Sequence, residues 1–140
     1  WENDALVLSE SANKHPFDFD CAQQPDLFPV LVVLACAAKG TSTLRGIQRL
    51  KNKESDRLMV MCEALASWGV GYQIIGEQID IYGTGQVNSG NIKTYKDHRI
   101  VMAGCVASLL CAEGQALDDA KAIEKSYPGF VADFLHLTQA

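Results

Sequence analysis

Apolar and polar positions alternate along the chain with two periods, and these mark out its elements. Ala5 to Leu8 reads as a short strand, and Phe17 to Cys21 (FDFDC) alternates apolar with acidic residues as a half-buried strand does. Pro25-Asp26 opens an apolar helix to about Lys39, with Asp26 as its N-cap, Pro29 in its first turn and Gly40 as its end. Thr41 to Arg49 predicts a strand. Ser55 or Asp56 caps the next helix, whose apolar face is Leu58, Met61, Cys62 and Leu65, and Gly69 stops it. Tyr72 to Tyr82 predicts a hairpin turning near Gly76-Glu77.

The second half repeats this order. Asp97 caps an apolar helix through about Ala112, and Gly114 closes it. Gln115 to Ile123 predicts a strand. Ser126 caps a last helix, with Pro128 in its first turn and Phe130, Phe134 and Leu137 on one face. The offset between the halves, roughly 70 residues, lies beyond the solenoid range of about 20–50. One βα unit used twice is therefore expected, over approximately 1–83 and 84–140. Ile100, Val101, Ala103, Cys105 and Val106 leave their helix apolar nearly all round, which predicts an α/β fold with helices buried and sheets outside.

Composition narrows the class. The 140 residues, 48% of them hydrophobic, suffice for the core of one domain and exclude a disordered chain. The longest apolar run, Val30 to Ala38, is too short to cross a bilayer, and no signal-peptide pattern is visible. The first residue is Trp1 rather than Met, which suggests that this is not a natural N-terminus. A formal charge of -5 argues against a generic nucleic-acid or anionic-membrane binder. Yet Arg45, Arg49, Lys51, Lys53 and Arg57 cluster in one window, and Lys93, Lys96 and Arg99 in another, a distribution that suits a small anionic ligand better than a long polyanion, although on charge alone two solvated, loop-flanking groups are the better reading. The five cysteines form no CxxC and no zinc-spaced Cys/His pair, so no metal site is expected and a reducing cytoplasm is.

Each helix start carries polar groups: Asp26; Lys53, Glu54, Asp56 and Arg57; Asp97, His98 and Arg99; Lys125 and Ser126. Helix N-termini offer unpaired N–H groups and a positive dipole end, so four convergent starts would make an anion site. Taken singly, Asp26, Asp56 and Asp97 read as plain N-caps, Glu54 as a surface carboxylate, His98 as a satisfied histidine and Lys125 as a solvated lysine. Arg57 and Arg99 read as partners of neighbouring carboxylates. The residues alone thus lead to an α/β domain with a candidate anion site, whose charged groups are, one by one, as well explained as caps and solvated pairs.

Lys53-Glu54-Ser55-Asp56-Arg57 (KESDR), Asp97-His98-Arg99 (DHR), Pro25-Asp26 before an apolar helix and Lys125-Ser126-Tyr127-Pro128 (KSYP) occur in this order. Together they resemble the C-terminal part of the 5-enolpyruvylshikimate-3-phosphate synthases over essentially the whole chain. The resemblance implies an inside-out enolpyruvyl transferase barrel of βαβαββ-type repeats, of which this chain would hold about two of the three in the C-terminal domain. It implies transfer of the enolpyruvyl group of phosphoenolpyruvate to the 5-hydroxyl of shikimate 3-phosphate, without metal or cofactor. It makes Asp26 the group that holds and deprotonates the hydroxyl, and Glu54 the proton donor to the methylene carbon. Lys53 would contact shikimate 3-phosphate; Arg57, Arg99 and Lys125 would bind phosphoenolpyruvate; His98 would hydrogen-bond near Glu54. The N-terminal domain that completes such a site has no counterpart here, so the chain alone is expected to be inactive. An enolpyruvyl transferase acting on UDP-N-acetylglucosamine shares fold and chemistry, but KESDR and DHR in this order favour the shikimate enzyme. A non-catalytic stand-alone binding module is the other alternative.

Overall fold

The computed structural model describes residues 14–138. The expected strand at Ala5 to Leu8 lies outside them. The chain runs β1 (Asp18–Asp20), a 3-10 turn (Pro25–Leu27), α1 (Phe28–Ala37), β2 (Lys39–Arg45), a 3-10 stretch (Ile47–Asn52) and α2 (Arg57–Ser67). It continues through β3 (Gly71–Ile75), β4 (Gln78–Thr84), β5 (Asn91–Ile92), α3 (His98–Ala107) and β6 (Ala116–Leu117) to a 3-10 turn (Lys121–Lys125) and α4 (Phe130–Thr138).

Strands β1 to β4 form one sheet in the order β1-β2-β4-β3. Strand β1 is parallel to β2, as a crossover through a helix requires, while β4 is antiparallel to both β2 and β3. Strand β4 alternates as its sequence demands: Ile79 and Ile81 point into the core with no exposed surface, while Asp80 on the other face accepts a hydrogen bond from the Thr43 hydroxyl at 2.7 Å. The predicted hairpin turns at Gly76-Glu77.

Helices α1 and α2 pack on the inner face of this sheet and α3 packs against them, chiefly α1, so the core holds Phe28, Val32 and Cys36 of α1, Met61 and Leu65 of α2, and Ile100 of α3. Helix α1 (FPVLVVLACA) carries no charge and is buried at seven of its ten positions, as a helix apolar on every side must be. Its C-terminal turn lies so close to β4 that a Cβ at Gly83 would collide with the carbonyl oxygens of Ala35 and Ala38.

Several boundaries differ from the sequence expectation. Asp26 is not an N-cap: it sits in the 3-10 turn, and α1 starts at Phe28 with no side-chain cap, because the Asp26 carboxylate is drawn to cations instead. Helix α1 ends at Ala37, and Gly40 already belongs to β2. The strand expected to reach Arg49 stops at Arg45, because Gly46 turns left-handed (φ 72°) and sends the chain into the 3-10 stretch. Helix α3 gives way to a 3-10 turn at Ser108, short of Ala112. Only Ala116 and Leu117 of the expected Gln115–Ile123 strand are extended, since Asp118 bonds back to Thr94 and Lys121–Lys125 winds into a turn. Helix α4 starts at Phe130, leaving Ser126 and Pro128 before it, and Leu137 is 77% exposed.

Candidate functional site

The starts of α2 and α3 and the turn before α1 meet in one charged cluster. Asp56, the N-cap of α2, accepts a hydrogen bond from the Met59 N–H at 3.1 Å, a cap worth about 1 kcal/mol. Arg57 follows on the face that α2 buries with Val60, Met61, Ala64 and Leu65. A cation at a helix N-terminus works against the dipole, so a buried Arg57 needs close anionic partners.

It has three. Asp97 is fully buried and takes hydrogen bonds from Arg57 Nε at 2.8 Å and Nη2 at 3.3 Å. Nη1 donates to Asp26 Oδ1 at 2.6 Å, and Nη2 also donates to Glu54 Oε2 at 2.6 Å. Asp26 further pairs with Arg99 Nη2 at 3.0 Å and Lys53 Nζ at 3.4 Å. Three carboxylates thus face three cations. The inner pair is dry, with Arg57 and Asp97 side chains both 0% exposed, whereas Asp26 and Glu54 are 45% and 47% exposed.

The electrostatics follow. Burial opposes a charge on Asp97, but the Arg57 hydrogen bonds and charge, the Arg99 N–H and the Ser55 hydroxyl outweigh it and hold this carboxyl below the usual range. Partial burial likewise opposes the Asp26 charge, and Arg57, Arg99 and Lys53 together hold it low. Burial would lower the Arg57 guanidinium, but Asp97, Asp26 and Glu54 raise it instead. Burial also pushes the Cys36 thiol up to about 12, and burial beside Asp20 raises Cys21 to about 11, so neither is a thiolate nucleophile.

The backbone entering α3 is strained. Tyr95 and Lys96 are both left-handed, at φ 51° and 58°, immediately before Asp97. Thr94, fully buried, anchors this turn: its N–H and hydroxyl both donate to Asp118 Oδ1 at 2.8 Å. The surrounding contacts therefore impose a conformation that the turn would not choose alone, and so aim the Asp97 carboxylate at α2.

Of the residues singled out in the sequence, Asp26, Lys53, Glu54, Arg57 and Arg99 come together. His98 is 9% exposed, its Nδ1 has no hydrogen-bond partner, and none of the described hydrogen bonds joins it to Glu54. Lys125 is exposed at the end of its 3-10 turn and pairs with none of the cluster's carboxylates. Among the described residues, no three His, Cys, Asp or Glu side chains are placed to hold a metal ion. Beside the cluster, Asp26 and Arg99 border a hollow between α1 and α3 walled by Val30, Met102, Val106 and Phe130.

Asp97 caps α3 as expected, accepting from the Arg99 N–H, but the sequence reading does not reach its second role as the buried partner of Arg57, nor that of Ser55, whose hydroxyl donates to Asp97 Oδ2 at 3.0 Å. A signal was present. Arg57 stands four residues before Met61 and eight before Leu65, on the apolar stripe of α2, and an arginine there demands a buried carboxylate.

The family model for EPSP synthase (3-phosphoshikimate 1-carboxyvinyltransferase) matches residues 1–134. The 3-phosphoshikimate 1-carboxyvinyltransferase of Methanocorpusculum labreanum is 42% identical over 86% of this chain and 28% of its own length. That of Pyrococcus furiosus is 39% identical over 96% of this chain and 32% of its own. The chain therefore spans about a third of the length of the curated relatives it matches. Among solved structures, EPSP synthase from Acinetobacter baumannii superposes with a TM-score of 0.70 at 29% identity, covering 78% of this chain and 26% of that one. The enolpyruvyl transferase NikO from Streptomyces tendae, at 17% identity and a TM-score of 0.66, covers 89% of this chain and 28% of that one and shares the fold. The matched length, the identity and the α/β architecture agree: the chain is a partial member of the EPSP synthase family.

Proposed function

We propose that this chain supplies about two of the three repeats of the C-terminal domain of a complete synthase, approximately 1–83 and 84–140, and one wall of its active site. The reaction is transfer of the enolpyruvyl group from phosphoenolpyruvate to the 5-hydroxyl of shikimate 3-phosphate. The observation that carries this reading is the convergence of Asp26, Lys53, Glu54, Arg57 and Arg99, from three separate stretches of sequence, on one half-exposed cluster.

The chemistry joins the 5-oxygen to the second carbon of phosphoenolpyruvate, protonates the methylene carbon, then removes that proton again as phosphate leaves. Asp26 is ionised, accepts the hydroxyl hydrogen bond and takes its proton, which departs with the phosphate. Its cations blunt its basicity until the substrates' own anionic groups draw them off. Glu54, half exposed beside it, enters as the carboxylic acid once Arg57 turns to the substrate: it gives its proton to the methylene carbon and, as the carboxylate, takes one back from the resulting methyl group. Lys53 faces shikimate 3-phosphate. Arg57, Arg99 and Lys125 bind the carboxylate and phosphate of phosphoenolpyruvate, Arg by its planar fork. His98, with its buried unpartnered Nδ1, supports Glu54.

The N-terminal domain closes the site and expels water, and the complete enzyme works in the cytoplasm, in keeping with five free cysteines. In that complete enzyme Glu54→Gln keeps its affinity for both substrates and loses about 10²–10⁴-fold in turnover, the usual worth of a positioned general acid. Near-normal turnover would remove Glu54 from this role. The isolated 140-residue chain releases no phosphate from the two substrates; release would overturn the need for the second domain.

A further inference from the structure

Arg57 is held along two unlike edges. The inner edge, Nε and Nη2, is bonded to Asp97, and both side chains are 0% exposed. The outer edge, Nη1 and the other side of Nη2, is bonded to Asp26 and Glu54, whose side chains are 45% and 47% exposed. Water and ions reach the outer partners and not the inner one. Asp97 is itself fixed from two further directions, by the Ser55 hydroxyl at 3.0 Å and the Arg99 N–H at 3.0 Å.

We propose that Asp97 is a positioning residue: it grips Arg57 by its inner edge so that the outer edge can exchange Asp26 and Glu54 for an anionic group of the substrate. The inference rests on the reading above, that Arg57 meets phosphoenolpyruvate. A guanidinium is planar and its donors are fixed relative to one another. Locking one edge therefore sets where the other points, and a bidentate anion contact tolerates little misdirection. The exchange is also cheap in charge. Asp26 and Glu54 swing into half-exposed surroundings where water takes them up, the incoming anion replaces them, and the guanidinium keeps a counter-ion throughout. Were Asp97 absent, the buried guanidinium would turn inward or cling to Asp26 and Glu54, and the anion would find no site. Ser55, between Glu54 and Arg57 in sequence, completes the brace by tying the KESDR loop to the start of α3.

A double-mutant cycle in the complete enzyme separates positioning from bulk stability. Four forms are compared, unchanged, Asp97→Asn, Arg57→Ala and both, with KM for phosphoenolpyruvate measured at saturating shikimate 3-phosphate below the melting temperature of each. Asp97→Asn should raise KM about tenfold when Arg57 is present and by less than about twofold in the Arg57→Ala background, as residues within one hydrogen-bonded network behave. A merely structural Asp97 would lower the amount of folded enzyme, and hence the maximal rate, without moving KM. An unchanged KM, or the same rise in both backgrounds, overturns the proposal while Arg57 remains a ligand. If Arg57→Ala alone leaves KM unchanged, the substrate role of Arg57 fails and the proposal falls with it. Should Asp97→Asn not fold, Ser55→Ala decides by the same criterion. It removes one hydroxyl and no charge, and its expected rise is about two- to threefold, again only with Arg57 present.

Discussion

The chain from Asp18 to Thr84 and the chain from Asn91 to Thr138 are built to different standards. The first region makes a four-stranded sheet and covers its inner face with two helices. The second makes a two-stranded ladder of two residues per strand and ends in α4, which buries no residue. Only α3 is sunk deep, and it is sunk into the first region's helices, chiefly α1, and against the turn Lys121–Lys125. The second region is thus held less by its own sheet than by the seam with the first. Along that seam lie Arg57–Asp97 and the hydrogen bond from Trp68 Nε1 to Gln115 Oε1 at 3.2 Å. The charged cluster straddles the seam, taking Asp26, Lys53, Glu54 and Arg57 from one side and Asp97 and Arg99 from the other.

Breaking the seam is the most severe test. Asp97→Ala leaves the fully buried Arg57 without its inner partner, and removing one member of such a pair costs about 3–5 kcal/mol. Urea unfolding followed by the fluorescence of the buried Trp68 should show this loss in a single transition for both regions. A loss below about 1 kcal/mol, the scale of an exposed pair, would mean that apolar packing alone joins the two regions.

The unequal cores give a second contrast. Leu44, fully buried on β2, should cost about 2–5 kcal/mol when replaced by Ala. Leu137 on α4 should cost no more than about 0.5 kcal/mol. Comparable losses would show that α4 is as well packed as the first region's core.

Acid sharpens the comparison further. The Asp97 and Asp26 carboxyls are held below the ordinary carboxylate range, so their stabilisation is complete above the unfolded value of about 3.9 and is lost as pH falls through the folded values. Asp118, held low chiefly by Thr94, adds to the same limb from within the second region. Melting temperature should change little on their account above about pH 5 and fall steeply below about pH 4. Asp97→Asn should flatten that acid limb. An unchanged acid limb in the variant would place the proton uptake elsewhere.

What could be read from sequence follows the same division. In the first region, strong local signals coincided with packing: the hairpin turned at Gly76-Glu77 as expected, Asp56 took the cap that it and Ser55 both offered, and the charge-free α1 formed, though it starts at Phe28 and ends at Ala37. In the second, the expected strand and helix limits gave way to short turns, because Asp118 and Thr94 satisfy each other and no longer ladder forms. The site was legible as a set of charges at helix starts but not as a geometry. Asp26 and Asp97 look alike in sequence, each an aspartate before an apolar helix. Only tertiary packing makes one a half-exposed hub of cations and the other a buried brace. The left-handed Tyr95-Lys96 turn left no sequence signal either, since neither residue favours that conformation.

That turn supplies the smallest prediction, one of opposite sign in the two regions. Lys96 is exposed at φ 58°, where a side chain costs about 1–2 kcal/mol relative to glycine. Lys96→Gly relieves this strain and adds about 0.5–1 kcal/mol of backbone entropy to the unfolded chain. The net expectation is a stabilisation of about 0.5 kcal/mol. In the first region, the exposed Ala66 of α2 has ordinary helical geometry, and Ala66→Gly should destabilise by up to about 1 kcal/mol. Melting temperatures of the two variants should therefore move in opposite directions. If Lys96→Gly destabilises as Ala66→Gly does, the turn stores no strain, and the aim of Asp97 at Arg57 is set by the ion pair alone.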